Sequence, residues 1–332
     1  MSRPRPSLAT IRTGLIAATL LGAFVAATAV AAAQGNYPSR LIKIVVPVPP
    51  GAFADTLPRL IGEKLAAMWG QPVIIENRPG AASNLGAEAV AKAAPDGYTL
   101  LATPPGPLVV NQSLYAKLPF DPETFVPVTV MAALPYVLLA NPALPFSNVA
   151  EFVAYAKANP DKLNFGSAGI GSPPHLAMEW LKTLAGIRMT HVPYRGSGPA
   201  LADLVAGHVG LMFDNVGNPV PLIRDGKARA LGVASEQRIA ALPDVAPIAE
   251  TFPSFKVTTW FAIVAPPKTP PEIAAKLSSA FGDILRMPDV VRRIHDSYGT
   301  PVGGSPADTA TLIRTETERW RAIVQAAGIK PE

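Results

Sequence analysis

The chain has 332 residues, 49% of them hydrophobic and 16% charged, which is enough apolar content for two cored domains and too much for a disordered chain. It carries a formal net charge of +5 and no cysteine, so disulfides, thiolate metal sites and lipid attachment at a cysteine are excluded. Arg3, Arg5 and Arg12 supply three of those positive charges, and the remaining +2, without a basic cluster, gives no support for nucleic-acid binding.

The N-terminus reads as an export signal. The three arginines precede an apolar, small-residue run from Gly14 to Val30, and Ala29-Val30-Ala31 and Ala31-Ala32-Ala33 both fit the small-residue cleavage rule. Residues 1–33 are therefore expected to be a signal peptide cleaved near Ala31–Ala33. The run is short for a membrane span.

Strand-like and helix-like segments then alternate. Leu41–Val46 reads as a strand, and Leu57, Leu60, Ile61, Leu65 and Met68 follow at helical spacing. Val73–Ile75 is the next strand, then a small-residue helix over Ser83–Ala94 and a strand at Tyr98–Ala102. This βαβ rhythm predicts an α/β protein with mainly parallel sheets flanked by helices. The rhythm resumes with a strand at Tyr136–Ala140, a helix from Asn148 to Ala158 capped by Asn148 and Glu151, and a strand ending at Phe165. A helix follows from Ser172 to Gly186, with strands at Met189–Val192, Gly210–Phe213, Ala230–Ala234 and Trp260–Ala265. Thr269-Pro-Pro-Glu272 reads as a capping box with Pro270 at the first helical position, opening a helix whose buried stripe is Ile273, Leu277, Phe281 and Ile284. Ser305-Pro306 opens the last helix, which carries Leu312, Ile313, Trp320 and Ile323. The 37 prolines punctuate this pattern, and the stretches near Leu134-Pro135 and Ala265-Pro266-Pro267 are candidate places for the chain to pass between lobes.

Three loops share one design, leaving a strand, passing through small residues and entering a helix: Pro47–Asp55, Thr103–Pro107 and Gly166–His175. Helix N-termini leave N–H groups unpaired and carry partial positive charge, so several such loops together make an anion site without Lys or Arg. Each loop alone is ordinarily a turn and a cap. His175 lies one turn into its helix, where it can donate to a ligand carboxylate or pack locally. Asp214 ends an apolar strand, where it can meet a ligand hydroxyl or amine, or cap the next turn. Catalytic signals are weak. Gly303-Gly304-Ser305-Pro306-Ala307 loosely matches a nucleophile elbow but is better explained as a helix cap. The four histidines show no metal-binding spacing, and no cofactor motif is present.

As an ordered set, several motifs resemble the tripartite tricarboxylate transporter receptor family, the Bug-type solute receptors. They include Tyr37-Pro-Ser-Arg40, Pro49-Pro-Gly51 with Asp55, Gly70-Gln-Pro-Val73, Glu76-Asn-Arg-Pro-Gly80, Ala94-Pro-Asp-Gly-Tyr98, His191-Val-Pro-Tyr194, Met212-Phe-Asp-Asn215 and Pro301-Val-Gly-Gly-Ser305. The resemblance spans about Tyr37 to Ile329. It implies a periplasmic, monomeric, non-enzymatic binding protein of the Venus-flytrap type (type II-like), with lobe 1 over 34–135 plus 259–332 and lobe 2 over 136–258. It further implies a small carboxylate ligand held by loop backbone, a membrane transporter as partner, and no metal or cofactor. A sensor kinase as partner, or a secreted hydrolase, are the competing readings. Carried over by motif, the ligand positions are Val48, Gly51, Ala52, Phe53, Asp55, Thr103, Ser167, Ala168, Gly169, Ser172, His175, Tyr194 and Asp214. The chain departs from the family pattern where Ala52 and Phe53 replace glycines, Val48 replaces an aromatic residue, and Pro104, Pro105, Pro173 and Pro174 remove N–H donors. That departure points to an aromatic or aliphatic acid over a compact, highly polar one.

Overall fold

The computed structural model describes residues 37–329 and 331, so the expected signal peptide lies outside the described residues. In chain order, β1 (Ile42–Val46), α1 (Phe53–Trp69), β2 (Val73–Asn77), α2 (Asn84–Ala91) and β3 (Thr99–Thr103) form the opening βαβ units. A π-turn over Gly106–Val110 and the short α3 (Asn111–Leu114) lead to β4 (Val126–Ala140), the longest strand. Next come α4 (Val149–Ala158), β5 (Asn164–Ser167), α5 (Pro173–Ala185), β6 (Thr190–Pro193), α6 (Ser197–Ala206), β7 (Leu211–Asn215), α7 (Val220–Arg224) and β8 (Arg229–Val233). The chain finishes with β9 (Thr258–Ala265), α8 (Pro271–Leu285), α9 (Pro288–Asp296), β10 (Thr300–Gly303) and α10 (Pro306–Ala326).

Two curled sheets meet on one strand. In the first, β2-β1-β3 are parallel, and β9, β4 and β10 extend them antiparallel. In the second, β6-β5-β7 are parallel, and the far half of β4 and then β8 add antiparallel. The expected parallel triplets are present, and antiparallel strands join them into mixed sheets. The first half of β4 pairs with β9 from Val126 to Pro135, and Tyr136–Ala140 pairs with β7 and β8. The expected strand at Tyr136 is thus only the second half of a longer one. At Leu134-Pro135 the chain changes sheet without leaving its strand. Proline is tolerated there because its ring opposes Thr258 at the end of the β9 ladder. The return comes before Ala265-Pro266-Pro267, since β9 already pairs with β3 over Ala262–Val264.

Three apolar clusters fill the fold. One packs α1 and α8 on the first sheet, with Leu57, Ile61, Leu65, Leu277, Phe281 and Ile284 buried, as the helical spacing predicts. A second lies on one face of the second sheet around Met212, Val216 and Leu204. The third is continuous between the sheets, joining Leu101 and Trp260 to Phe165 and Phe213, with Trp320 and Ile323 of α10 packed into it. Helix α10 begins with a true capping box, Ser305 and Asp308 bonding each other's backbone N–H groups, so Ser305 is a cap and not a nucleophile. The helix expected to open with Pro270 at its first position starts one residue later. Pro270 is the N-cap, Pro271 is the first helical residue, and the Thr269 hydroxyl donates to the Pro266 carbonyl at 2.8 Å.

Tyr37 is 5% exposed and closes the bottom of the first sheet, its hydroxyl donating to the Gly97 carbonyl at 2.8 Å. Gly97 has φ +80, and a Cβ there would sit 2.5 Å from Ile273 Cγ2 and 2.7 Å from the Tyr37 hydroxyl. Gly97→Ala is therefore expected to lower unfolding stability by about 2–4 kcal/mol, from left-handed strain plus overpacking. A shift in the chemical denaturation midpoint at unchanged slope measures it.

Candidate functional site: a cleft at the shared strand

A cavity of about 750 Å³ opens where the two sheets meet. Its lining includes Leu134 and Tyr136 of β4 and Thr259 and Phe261 of β9, with Tyr136 Oη and Thr259 Oγ1 3.0 Å apart. Four strand-to-helix connections supply much of the rest: Ala52–Ala54, Ala82–Ser83, Pro104–Pro107 and, from the second sheet, Ala168 with Ile170–Pro174. Among the described residues, no Lys, Arg or His lines it, and Asp296 is its one charged side chain.

Of the sequence-predicted positions, Ala52, Phe53, Ala168 and Ser172 line the cavity. Val48, Gly51, Asp55, Thr103, Ser167, Gly169, His175, Tyr194 and Asp214 are not among its lining residues; Asp55, Thr103, Ser167, His175 and Asp214 are buried. Asp55 is 2% exposed and accepts from Gly51 N–H at 2.9 Å, from Arg59 and from Asn77, whose Nδ2 also donates to the Val48 carbonyl. The Arg59 guanidinium is the chief cause that holds the Asp55 carboxyl down at about 2. This carboxylate ties the first loop to β2, and its charge is paired before any ligand arrives. Thr103 ends β3 with its hydroxyl donating to the Pro104 carbonyl. Phe53 meets Phe261 edge to face at 5.3 Å between ring centroids and makes an apolar wall.

The loop after β5 is built on two histidines. His175 Nδ1 accepts from Gly171 N–H at 3.0 Å, so its proton is on Nε2, which lies 3.8 Å from Glu179 Oε1. His191 Nε2 meets Ser167 Oγ at 2.7 Å, and Ser167 also bonds both polar atoms of the Gly169 backbone. The imidazoles stack at 3.9 Å, with Phe165 stacked on His191 at 4.8 Å. His175 Nδ1 is thus engaged within its own loop, and its Nε2 faces Glu179. Ser167 is fully buried, which removes it as a nucleophile for a cleft ligand. Tyr194 donates to Asp203 at 2.6 Å, and Asp214 is fully buried under the turn that follows β7. Gly171 has φ +72 and lies so close to α3 that a Cβ would come 2.6 Å from Leu114 Cδ1, bringing the two walls into contact.

One wall escaped the sequence reading. Ala81, Ala82 and Ser83 all have left-handed φ, at 47°, 50° and 73°. Left-handed backbone costs a non-glycine residue roughly 1–2 kcal/mol each. The buried Asn111 holds the segment there, its Nδ2 donating to the Ala82 carbonyl at 3.0 Å and to Asn84 Oδ1 at 2.6 Å. Two asparagines 27 positions apart carry no local pattern.

The fold and cleft define a solute-binding receptor of the periplasmic binding protein class. Similarity to known proteins agrees. The chain is 36% identical over 316 residues to Protein BugT of Bordetella pertussis, covering 94% of this chain and 97% of that one. The structure of a Rhodopseudomonas palustris protein with adipate superposes with a TM-score of 0.78 at 36% identity, over 89% of this chain and all of that one. MatC of the same species, with bound malate, superposes at 0.73 and 37% identity, over 87% and 100%. The model of the tripartite tricarboxylate transporter family receptor matches residues 57–329, and the chain belongs to that family.

Two outcomes follow from the site. Asn111→Ala is expected to cost about 1–3 kcal/mol, by releasing the strained 81–83 segment and orphaning Asn84 Oδ1, read as a fall in denaturation midpoint. Burial holds both His175 and His191 down at about 4, from an ordinary 6.5, and the neighbouring charge of Lys182 pushes the same way. The unfolded chain then binds more protons than the folded one between those values. Stability is complete above about pH 6.5 and declines as pH falls toward 4. His191→Phe is expected to lessen that decline in a pH series of melting temperatures by the His191 share, leaving the part that His175 contributes.

Proposed function

We propose that this chain is exported through the signal at residues 1–33 and acts in the periplasm as a monomeric, non-catalytic receptor. It captures a small aromatic or aliphatic organic acid between lobe 1 (34–135 plus 259–332) and lobe 2 (136–258). A tripartite tricarboxylate-type membrane transporter then takes the acid up. The observation that carries this reading is the lining of the cleft: no side-chain cation, and the N-terminus of the 17-residue α1 opening onto it at Ala52–Ala54. A carboxylate placed there is met by unpaired backbone N–H groups and the helix dipole. Asp55 sits at the same terminus, and its pairing with Arg59 removes the repulsion it would otherwise exert.

The apolar preference rests on the same wall. Pro104, Pro105, Pro173 and Pro174 all line the cleft and have no N–H to offer, while Phe53, Phe261, Leu114 and Ile170 offer hydrocarbon. Ile170 is 64% exposed, an apolar side chain that gains by being covered when a ligand body fills the cleft. Adipate and malate in the two relatives are themselves small carboxylic acids. Closure follows if both walls touch the ligand, since a ligand shifts an equilibrium toward the state it contacts better.

A melting screen tests the reading. Benzoate and hexanoate are expected to raise the melting temperature, with a gain of about 2.7 kcal/mol at 100 times the dissociation constant. Stabilisation by aspartate or citrate, with none from the hydrocarbon acids, would reverse the preference; turnover of a carboxylate ester would replace binding by catalysis.

A further inference from the structure

Beyond the anion-binding wall, the cleft has a second polar end on the turn that follows β7. Asp214 closes that strand with its carboxyl group fully buried. Hydrogen bonds converge on it from Asn215 N–H to Oδ1 at 2.8 Å, from Asn218 Nδ2 to Oδ1 and Oδ2, both at 3.1 Å, and from the Ser197 side chain. Asn215 and Asn218 both line the cleft, and Asn218 is exposed to it. With its NH₂ committed to the carboxylate, the Asn218 amide must turn its oxygen away from Asp214, toward the open cleft. Across the gap, Ser297 and Tyr298 come close to Gly217, which precedes Asn218, and they bring Asp296 to the same end of the lining. Asn218 Oδ1 and the Asp296 carboxylate are both acceptors. No cation lines the cleft among the described residues to meet a second ligand carboxylate there.

We propose that Asp214 is a positioning residue that fixes the Asn218 carboxamide with its oxygen facing the cleft, and that this oxygen selects an acid whose far end carries a hydrogen-bond donor, such as a hydroxyl, over one ending in a second carboxylate. This rests on the receptor reading above and narrows its substrate class to ω-hydroxy and similar donor-bearing monocarboxylates. Burial raises the Asp214 carboxyl pKa, and the hydrogen bonds from Asn218, Asn215 N–H and Ser197 oppose that shift and favour the ionised form that holds the amide. A site built to accept a proton discriminates against a ligand that brings only acceptors, because one polar group on each side is left unpaired.

The test is isothermal titration of 6-hydroxyhexanoate and adipate, which differ only at the far end, against the full mature chain and three variants. The mature wild type is expected to prefer the hydroxy acid by about tenfold or more. In Asp214→Asn the amide of residue 218 is free to flip, and the preference is expected to fall to about twofold while Asp214→Glu retains it. Asn218→Lys should invert the preference toward adipate, which a loss of folding cannot do. A general loss of binding-competent protein weakens both acids equally and leaves their ratio unchanged, so the ratio separates positioning from mere stability. Equal affinities in the wild type, tighter adipate, or an unchanged ratio in Asp214→Asn would overturn the inference and leave the receptor intact. If neither acid binds, and the hydrocarbon acids also fail, the receptor reading and this inference fall together.

Discussion

One strand belongs to both sheets, and the rest of the molecule is arranged around that constraint. β4 hydrogen-bonds to β9 and β10 along its first half and to β7 and β8 along its second, so each sheet is anchored to the other by covalent backbone. A strand keeps its main-chain groups paired on both sides only if its neighbours change where it leaves one sheet for the other. The change falls at Leu134–Tyr136, and the cleft opens there, with the Tyr136–Thr259 side-chain contact on its floor. Bulges in the β4–β9 ladder between Pro127 and Thr129 and between Val130 and Ala132 add the twist that curls the first sheet toward this crossing. The site is therefore a consequence of the topology, and the loops that surround it are those at the carboxyl ends of the parallel strands.

Around that crossing the protein keeps cationic side chains out of the cavity lining among the described residues, leaves Asp296 as its one charged side chain, and sets the other carboxylates one layer back. Asp55 and Asp214 are each buried, Asp55 paired with Arg59 and with the N–H groups of Gly51 and Asn77, Asp214 held by Asn215, Asn218 and Ser197, and the histidine pair is held neutral. The arrangement costs desolvation, which is why each carboxylate collects several donors. In return the loops hold fixed shapes without presenting ionised side chains to a solute. An anion then meets dipoles that need no reorganisation, and an unpaired lysine, which would hold any acid regardless of shape, is absent from the wall.

The sequence was most legible where the physics is local. Strand-helix alternation, the helical stripes of α1 and α8, the Ser305 cap and the small-residue loops at Ala52 and Ala168 are all set by neighbours within a few residues. Legibility stopped where a side chain's partner is fixed by three-dimensional contact, whether it lies one helical turn away or on another strand. Asp55 looks like a ligand residue because it follows a Pro-Pro-Gly turn, yet Arg59 and Asn77 turn it inward. His175 looks like a donor at a helix start, yet Gly171 N–H claims its Nδ1. Ala82 and Ser83 look like an ordinary helix entry, and only Asn111 from beyond the next strand explains their left-handed backbone. Thr269 was misjudged for a smaller reason: two prolines follow it, and the second, not the first, is the one that enters the helix.

That pattern of error has a physical cause. Buried motif residues hold the loops in shape, while the residues in front are small, apolar or proline, and their identity changes what the cleft accepts. Phe53 is held in that front layer by its edge-to-face contact with Phe261. Replacing Asp55 would release the loop itself. In this chain, buried polar ties set the shape of the loops, and the small, apolar and proline residues in front of them set the surface that a solute would meet.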